Sequence, residues 1–342
     1  LRTYGVNMKL AVTDHWKAKF DMSHSATTKS DEEGESYAGV GRAGLPTQGA
    51  NTIRSWATTS SGLMFSKNTT DFSDYNLVRL AGPQSWGGSL APIAALQTSV
   101  SGIPSVGPTQ AQDGFVNTGV FEEHLNSLRL EAVGTVDYGW VKTLNVGLLY
   151  TDHAKSKNNH GYFLTANTWP LDGPIPAGSR RGVADLSWAG LGKVVAYDAQ
   201  GLINSNVYTR WDAQQLEPDR LGDTYTVKEK VTTLFAKADF DAAIGSVNMF
   251  GNVGLQLVHT NQSSTGYTSL TGANLLVQAT PVQGGASYTN VLPSLNLNFE
   301  LGNNQMLRFA ASKAISRARI DYLKPGGSVK FRTNVFNVTN TD

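Results

Sequence analysis

One stretch constrains the fold more than any other: Tyr288 to Tyr322, YTNVLPSLNLNFELGNNQMLRFAASKAISRARIDY. Leu295, Leu297, Phe299 and Leu301 alternate with Asn296, Asn298 and Glu300. After a short turn at Gly302-Asn303-Asn304, Leu307, Phe309 and Ala311 alternate with Arg308, Ala310 and Ser312. Successive side chains of a strand point to opposite faces, so this period of two makes one apolar face and one polar face. A brief Asn-rich turn between two such runs signals a β-hairpin. The polar face carries Asn, Asn, Glu and Arg in a row. A polar inner wall with an apolar exterior is the requirement of a membrane β-barrel.

The same pattern recurs. Tyr4, Val6, Met8 and Leu10 alternate with Gly5, Asn7 and Lys9, and a return strand follows from Trp16. Leu128, Leu130 and Ala132 alternate with Arg129 and Glu131, and Leu144, Val146, Leu148 and Tyr150 form the return. Thr232, Leu234, Ala236, Ala238 and Phe240 alternate with Glu229, Val231, Lys237 and Asp239, and Val253, Leu255 and Leu257 come back against Asn252 and Gln256. Between these hairpins lie long polar stretches read as loops. They are 25–49 with its acidic run Asp31 to Glu35, then 66–120, 156–222 and 263–286. Short helices are expected at 90–96 and 204–216. Short turns therefore alternate with long loops. Strands of about 12 to 18 residues, long enough to cross a bilayer at a tilt, complete the pattern of an outer-membrane barrel. Tyr138, Trp140, Tyr150, Phe240, Phe250 and Phe299 lie where an interfacial aromatic girdle would fall.

Composition narrows the function. Charged residues are 16% of the chain and the net charge is +1, so nothing points to nucleic acid as a partner. There is no Cys, which removes thiolate metal sites and cysteine nucleophiles. The six His are scattered with no zinc spacing, so neither a metal nor a cofactor is expected. The run Asp31 to Glu35 does not match the spacing of a calcium loop and reads as solvated. No nucleophile elbow, P-loop or carboxylate pair stands out, so no enzyme activity is expected. No apolar run reaches the length of a helical span. Strand-like sequence at both ends is expected of a piece of a longer protein.

Four segments carry a likeness to a known family. They are Phe20 to Ala26, Val227 to Phe240, Gly251 to Thr260, and Val291 to Asn296 with Leu307 to Lys313. Together they resemble the barrel of TonB-dependent outer-membrane transporters, in the branch associated with carbohydrate uptake. Gln256 stands where that family commonly has Arg, and Ala318 where it often has Pro. The resemblance implies an all-β fold: an antiparallel transmembrane barrel, incomplete, with about 10–12 of roughly 22 strands and long extracellular loops. Residues 1–342 would belong to the C-terminal barrel domain, with the plug and the last strands outside this sequence. It further implies a place in the bacterial outer membrane, lipid and the TonB complex as partners, and import of a nutrient captured by the loops. An oligosaccharide is the favoured substrate and a siderophore the next.

The expected substrate-binding residues are Trp86, Trp169, Trp188 and Trp211, with Asp172, Arg180, Arg181 and Asp212 near them in sequence. Indole faces stack on sugar rings while polar neighbours bind hydroxyls. The competing reading is that these side chains anchor their loops. The expected lumen lining is Arg129, Glu131, Glu229, Lys237, Asp239, Gln256, Asn296, Asn298, Glu300 and Arg308. These residues either meet a passing solute or satisfy one another. Two alternatives remain open at this level: a passive porin-like channel, and a soluble secreted β-rich domain that binds or hydrolyses carbohydrate.

Overall fold

The computed structural model describes residues 1–40, 55–66, 70–81, 112–169, 171–330 and 335–338. The described chain is all-β. Eight long strands form one antiparallel path: β1 (Arg2–Ala11), β2 (Trp16–Ser36), β3 (Gly114–Tyr138), β4 (Val141–Ala166), β5 (Tyr225–Ile244), β6 (Val247–Thr271), β7 (Val277–Gly302) and β8 (Gln305–Ser312). Each strand pairs with the next in sequence. Among the described residues β1 and β8 do not pair, and the sheet stays open.

Four short turns lie at one end of the sheet, and the three longer connections lie at the other. The turn chemistry fixes this. Asn303 and Asn304 both take positive φ, 52° and 59°, joining β7 to β8 in the twist that a two-residue hairpin loop needs. Gly139 and Gly245, at φ 59° and 63°, do the same at the β3–β4 and β5–β6 turns.

Tight turns pin the register, and the register sorts the side chains. Met8, Phe20, Leu130, Leu148, Leu234, Leu257 and Val291 lie side by side in one row across seven strands. The next row towards the short turns reads Leu10, Ala18, Ala132, Val146, Ala236, Leu255 and Pro293. These residues share one face, and many of the large ones are exposed, Leu234 at 51% among them. On β7 the outward positions run apolar from Val291 to Leu301. That is about 33 Å along a strand at ~3.3 Å per residue.

Four expectations about the chain path need correction. The interior strands run 20 to 26 residues, beyond the expected length. The stretch from Ser25 to Ser36, read as loop, continues β2, and its acidic run pairs with 115–119 of β3. Likewise 263–271 and 277–286 are strand, leaving only 272–276 as a connection. The helix expected over 204–216 is instead a helical turn (α1, Ala199–Ile203), a strand (Tyr208–Asp212) and a second turn (α2, Ala213–Leu216). Ser25 to Ser36 is polar on both faces, and 263–271 and 277–286 mix polar and apolar residues on each face, so no alternation marks these strands. The pairing comes from neighbours already held in register below. The helix expected at 90–96 lies outside the described residues.

Two glycines admit close approach. Trp16 lies over Gly134, where an added Cβ would sit 2.3 Å from the indole. Phe235 lies over Gly147, where a Cβ would meet the ring at 2.4 Å and the Leu130 carbonyl at 2.5 Å. The carbonyl belongs to a strand fixed on both sides and cannot retreat. Gly147→Ala is therefore expected to cost about 1–3 kcal/mol, as overpacking does. A shift in the urea midpoint at unchanged slope is the measurement.

Candidate functional site

All ten residues expected to line a lumen fall on one face of the sheet, opposite the apolar rows. They are largely satisfied by side chains that the pattern alone did not single out. Glu131 is nearly buried. It accepts from Arg129 at 2.9 Å and Asn145 at 2.9 Å, with Lys19 at 3.4 Å. Lys237 holds Asp239 at 3.0 Å, and the Thr143 hydroxyl donates to the same carboxylate. Asn296 bonds Asn252 at 2.9 Å, Asn298 donates to the Phe250 carbonyl at 3.3 Å, and Glu300 accepts from Asn248 at 3.1 Å. Arg308 Nε reaches the Met306 sulfur at 3.2 Å. Gln256 sits between Phe235 and Leu292 in its row. Glu131 and Asp239 are neutralised by cations in their own stretch of sheet, and the amide bonds satisfy their neighbours' polar groups, as a hydrated polar surface requires.

After β8 the chain leaves the sheet edge and crosses this polar face. Arg317 bonds Glu229 at 3.2 Å and Thr260 at 3.1 Å, and Gln262 completes Glu229 at 2.6 Å. Asp321 takes Lys155 at 2.6 Å, the Tyr225 hydroxyl at 3.1 Å and Arg319 at 3.3 Å. Burial pushes the Asp321 carboxyl up, but the Lys155 ammonium, the Tyr225 hydroxyl and Arg319 outweigh it and hold it below its ordinary value. Lys324 at 2.7 Å and Lys157 converge on Asp223. Sequence reading missed this crossing because 313–326 has no period of either kind. The pairing of Arg317 with Glu229 and of Asp321 with Lys155 was the only signal, and it needs the register to be read.

The long connections build a separate assembly at the far end of the sheet. Its core is Val78, Leu80, Ile175, Leu202, Ile203 and Tyr208, packed on Val116 and Leu164 at the tops of β3 and β4. Burial pushes the Tyr208 hydroxyl up, and its bond to Ser36 at 2.6 Å ties β2 into this core. The expected substrate residues are divided among different roles here. Trp169 and Trp211 come together in a cluster with Phe163, Ala213 and Leu216. The Trp211 indole is fixed by a bond to Thr165 at 2.9 Å. Asp212 accepts from the Gln214 amide at 2.9 Å and caps α2.

The other expected residues sit apart from that cluster. Asp172 is buried and paired with Arg79 at 3.1 Å, beside the bridge that joins Arg79–Leu80 to Gly173–Pro174. Arg180 stacks 4.7 Å over the Tyr75 ring, and Arg181 pairs with Asp198 at 2.8 Å. These contacts serve the loops' own packing. Trp188, at 77% exposure, faces solvent freely, unlike Trp169 and Trp211. Trp86 lies outside the described residues. The group therefore does not converge on one site.

No protein family, curated protein or solved structure matches this chain. The structure itself offers three features from which function can be read. They are an apolar exposed face, a charge-paired opposite face, and a packed cap over one end.

Proposed function

We propose that this chain is wall and cap of a transmembrane β-barrel in a bacterial outer membrane, and that the parent barrel is an energy-coupled importer. The observation that carries the reading is the unbroken row from Met8 to Val291, apolar on all seven strands that it crosses and largely exposed. A soluble sheet hides such a face under a second layer, and exposed patches beyond a few hundred Å² mark a contact surface. Lipid is the partner that fits a flat band about 25 Å tall with aromatic residues at its borders. Tyr4 and Tyr150 stand at the upper border, and Trp140 packs edge-on to Phe240 at 5.5 Å near the lower one. The short turns at one end and long connections at the other agree with an insertion that has a periplasmic and an outer side.

The importer part of the proposal rests on the resemblance of Val291 to Asn296 and Leu307 to Lys313 to TonB-dependent transporters. On that reading the further strands, the plug and the TonB contact lie elsewhere in the protein. Nutrient, favoured as an oligosaccharide, is captured at the cap and passed along the charged face without chemical change. A passive channel shares the wall but has no plug, and a plug with its TonB-contact segment in the full-length protein separates the two.

The absence of Cys makes a direct test clean. Single cysteines are placed at Leu234, Leu255 and Leu257 and, on the other face, at Gln256 and Lys237. The expected result in membranes is that only the second set reacts with a water-soluble maleimide, while fluorophores attached to the first set before insertion are quenched by lipid-phase quenchers. Equal aqueous labelling of Leu255→Cys and Gln256→Cys, or recovery of the native chain without detergent, overturns the membrane reading.

A further inference from the structure

A cavity of about 540 Å³ opens where the sheet loses a strand. β5 begins only at Tyr225, while β4 continues to Ala166 and β6 to Thr271. Among the described residues, the β5 side of β4 has no strand partner from Asn158 until Tyr208–Asp212 takes it up at Tyr162. The gap is partly filled by the turns around Gln214 and Leu221. The space left is a consequence of topology, and it lies well above the apolar rows.

Its lining is dense in uncharged hydrogen-bonding groups. Ser156, Thr226, Thr265, Tyr267 and Gln283 all contribute, from four different strands. By register they share the face that carries the apolar rows lower down. None of the five makes a side-chain hydrogen bond among the described residues. Gln214 spends its amide hydrogens on Asn158 at 3.3 Å and the Asn159 carbonyl at 3.0 Å, leaving its oxygen as an acceptor. The lining ammonium, Lys157, is already engaged by Asp223. An anion therefore finds no unspent lysine or arginine in the lining, and a cation finds no carboxylate there. Tyr267 lies opposite Pro281 in the ladder, which gives the cavity one apolar flank beside its hydroxyls.

We infer that this cavity binds a neutral saccharide of one or two rings. Hydroxyls that both donate and accept match the ligand's own hydroxyls, and a tyrosine ring suits the C–H face of a pyranose. The volume falls within the usual range for small-molecule sites, ~300–1,000 Å³. The site stands whether or not the strands cross a membrane. It is distinct from the Trp-bearing connections, because none of Trp169, Trp188 and Trp211 lines it.

The test is isothermal titration of the detergent-extracted chain with maltose, cellobiose and lactose, and with glucose and glucose 6-phosphate. At least one neutral disaccharide is expected to bind at concentrations up to about 10 mM, the weak limit worth measuring. Tyr267→Ala is expected to weaken it at least about tenfold, and Tyr267→Phe less, because the ring remains. Gln283 is exposed, so Gln283→Ala decides the matter where Tyr267→Ala fails to fold. No heat with glucose or with any neutral disaccharide, tighter binding of the phosphorylated sugar, or binding unchanged in the folded variants overturns the proposal. The cysteine-labelling pattern is read separately, so failure here leaves the membrane reading intact.

Discussion

Leu234→Arg is expected, on the proposed membrane reading, to destabilise the chain by about 2–4 kcal/mol, the cost of a cation on a lipid face near mid-depth. Leu234 occupies the middle of the exposed row, between Leu148 of β4 and Leu257 of β6. An arginine there has apolar neighbours on both sides and in the adjoining row, so its guanidinium must snorkel past several residues to reach water. The matched control is Gln256→Arg, on the opposite face, where the wall already carries Lys19, Arg129 and Lys237. A change within about 0.5 kcal/mol is expected there, as for an ordinary surface substitution. Urea unfolding from lipid vesicles measures both. If Leu234→Arg proves as mild as the control, the apolar face is not against lipid.

The contrast between those two substitutions also marks what the sequence could reveal. Parity is a local property. Leu297 and Asn296 announce their opposite faces with no knowledge of what they pair with, and Asn303-Asn304 announce the turn. Once the turns pin the register, every residue on the ten-member polar set falls on one side without further information. What parity cannot supply is anything that depends on a partner distant in sequence. Ser25 to Ser36 is polar on both faces, so its strand state is decided by 114–125 of β3, about a hundred residues away. Segment 313–326 has no period, and its course is decided by Glu229, Lys155 and Asp223. The roles of the loop tryptophans are hidden for the same reason. Composition shows that an indole is present in a loop, but not whether the loop needs it as its own core. For Trp169 and Trp211 the loop does.

The largest effect is expected at Arg79, a residue that no pattern singled out. Its Nε holds Asp172, whose side chain is 3% exposed and whose Oδ2 has no hydrogen-bond partner. A buried carboxylate that loses its counter-charge has no water to replace it, and breaking such a pair costs about 3–5 kcal/mol. Arg79→Met is therefore expected to unfold the cap at markedly lower urea, seen in tryptophan fluorescence because Trp169 and Trp211 sit in the same assembly. The double variant Arg79→Met with Asp172→Leu is expected to recover most of the loss, since it removes the stranded charge along with its partner. This pair of measurements also decides between the two readings of Asp172. A structural carboxylate gives a strong coupling between the two positions and no change in saccharide binding in the double variant. A substrate-binding carboxylate gives weak coupling and lost binding whenever Asp172 is replaced. The burial of Asp172 beside the Arg79–Leu80 bridge favours the first outcome.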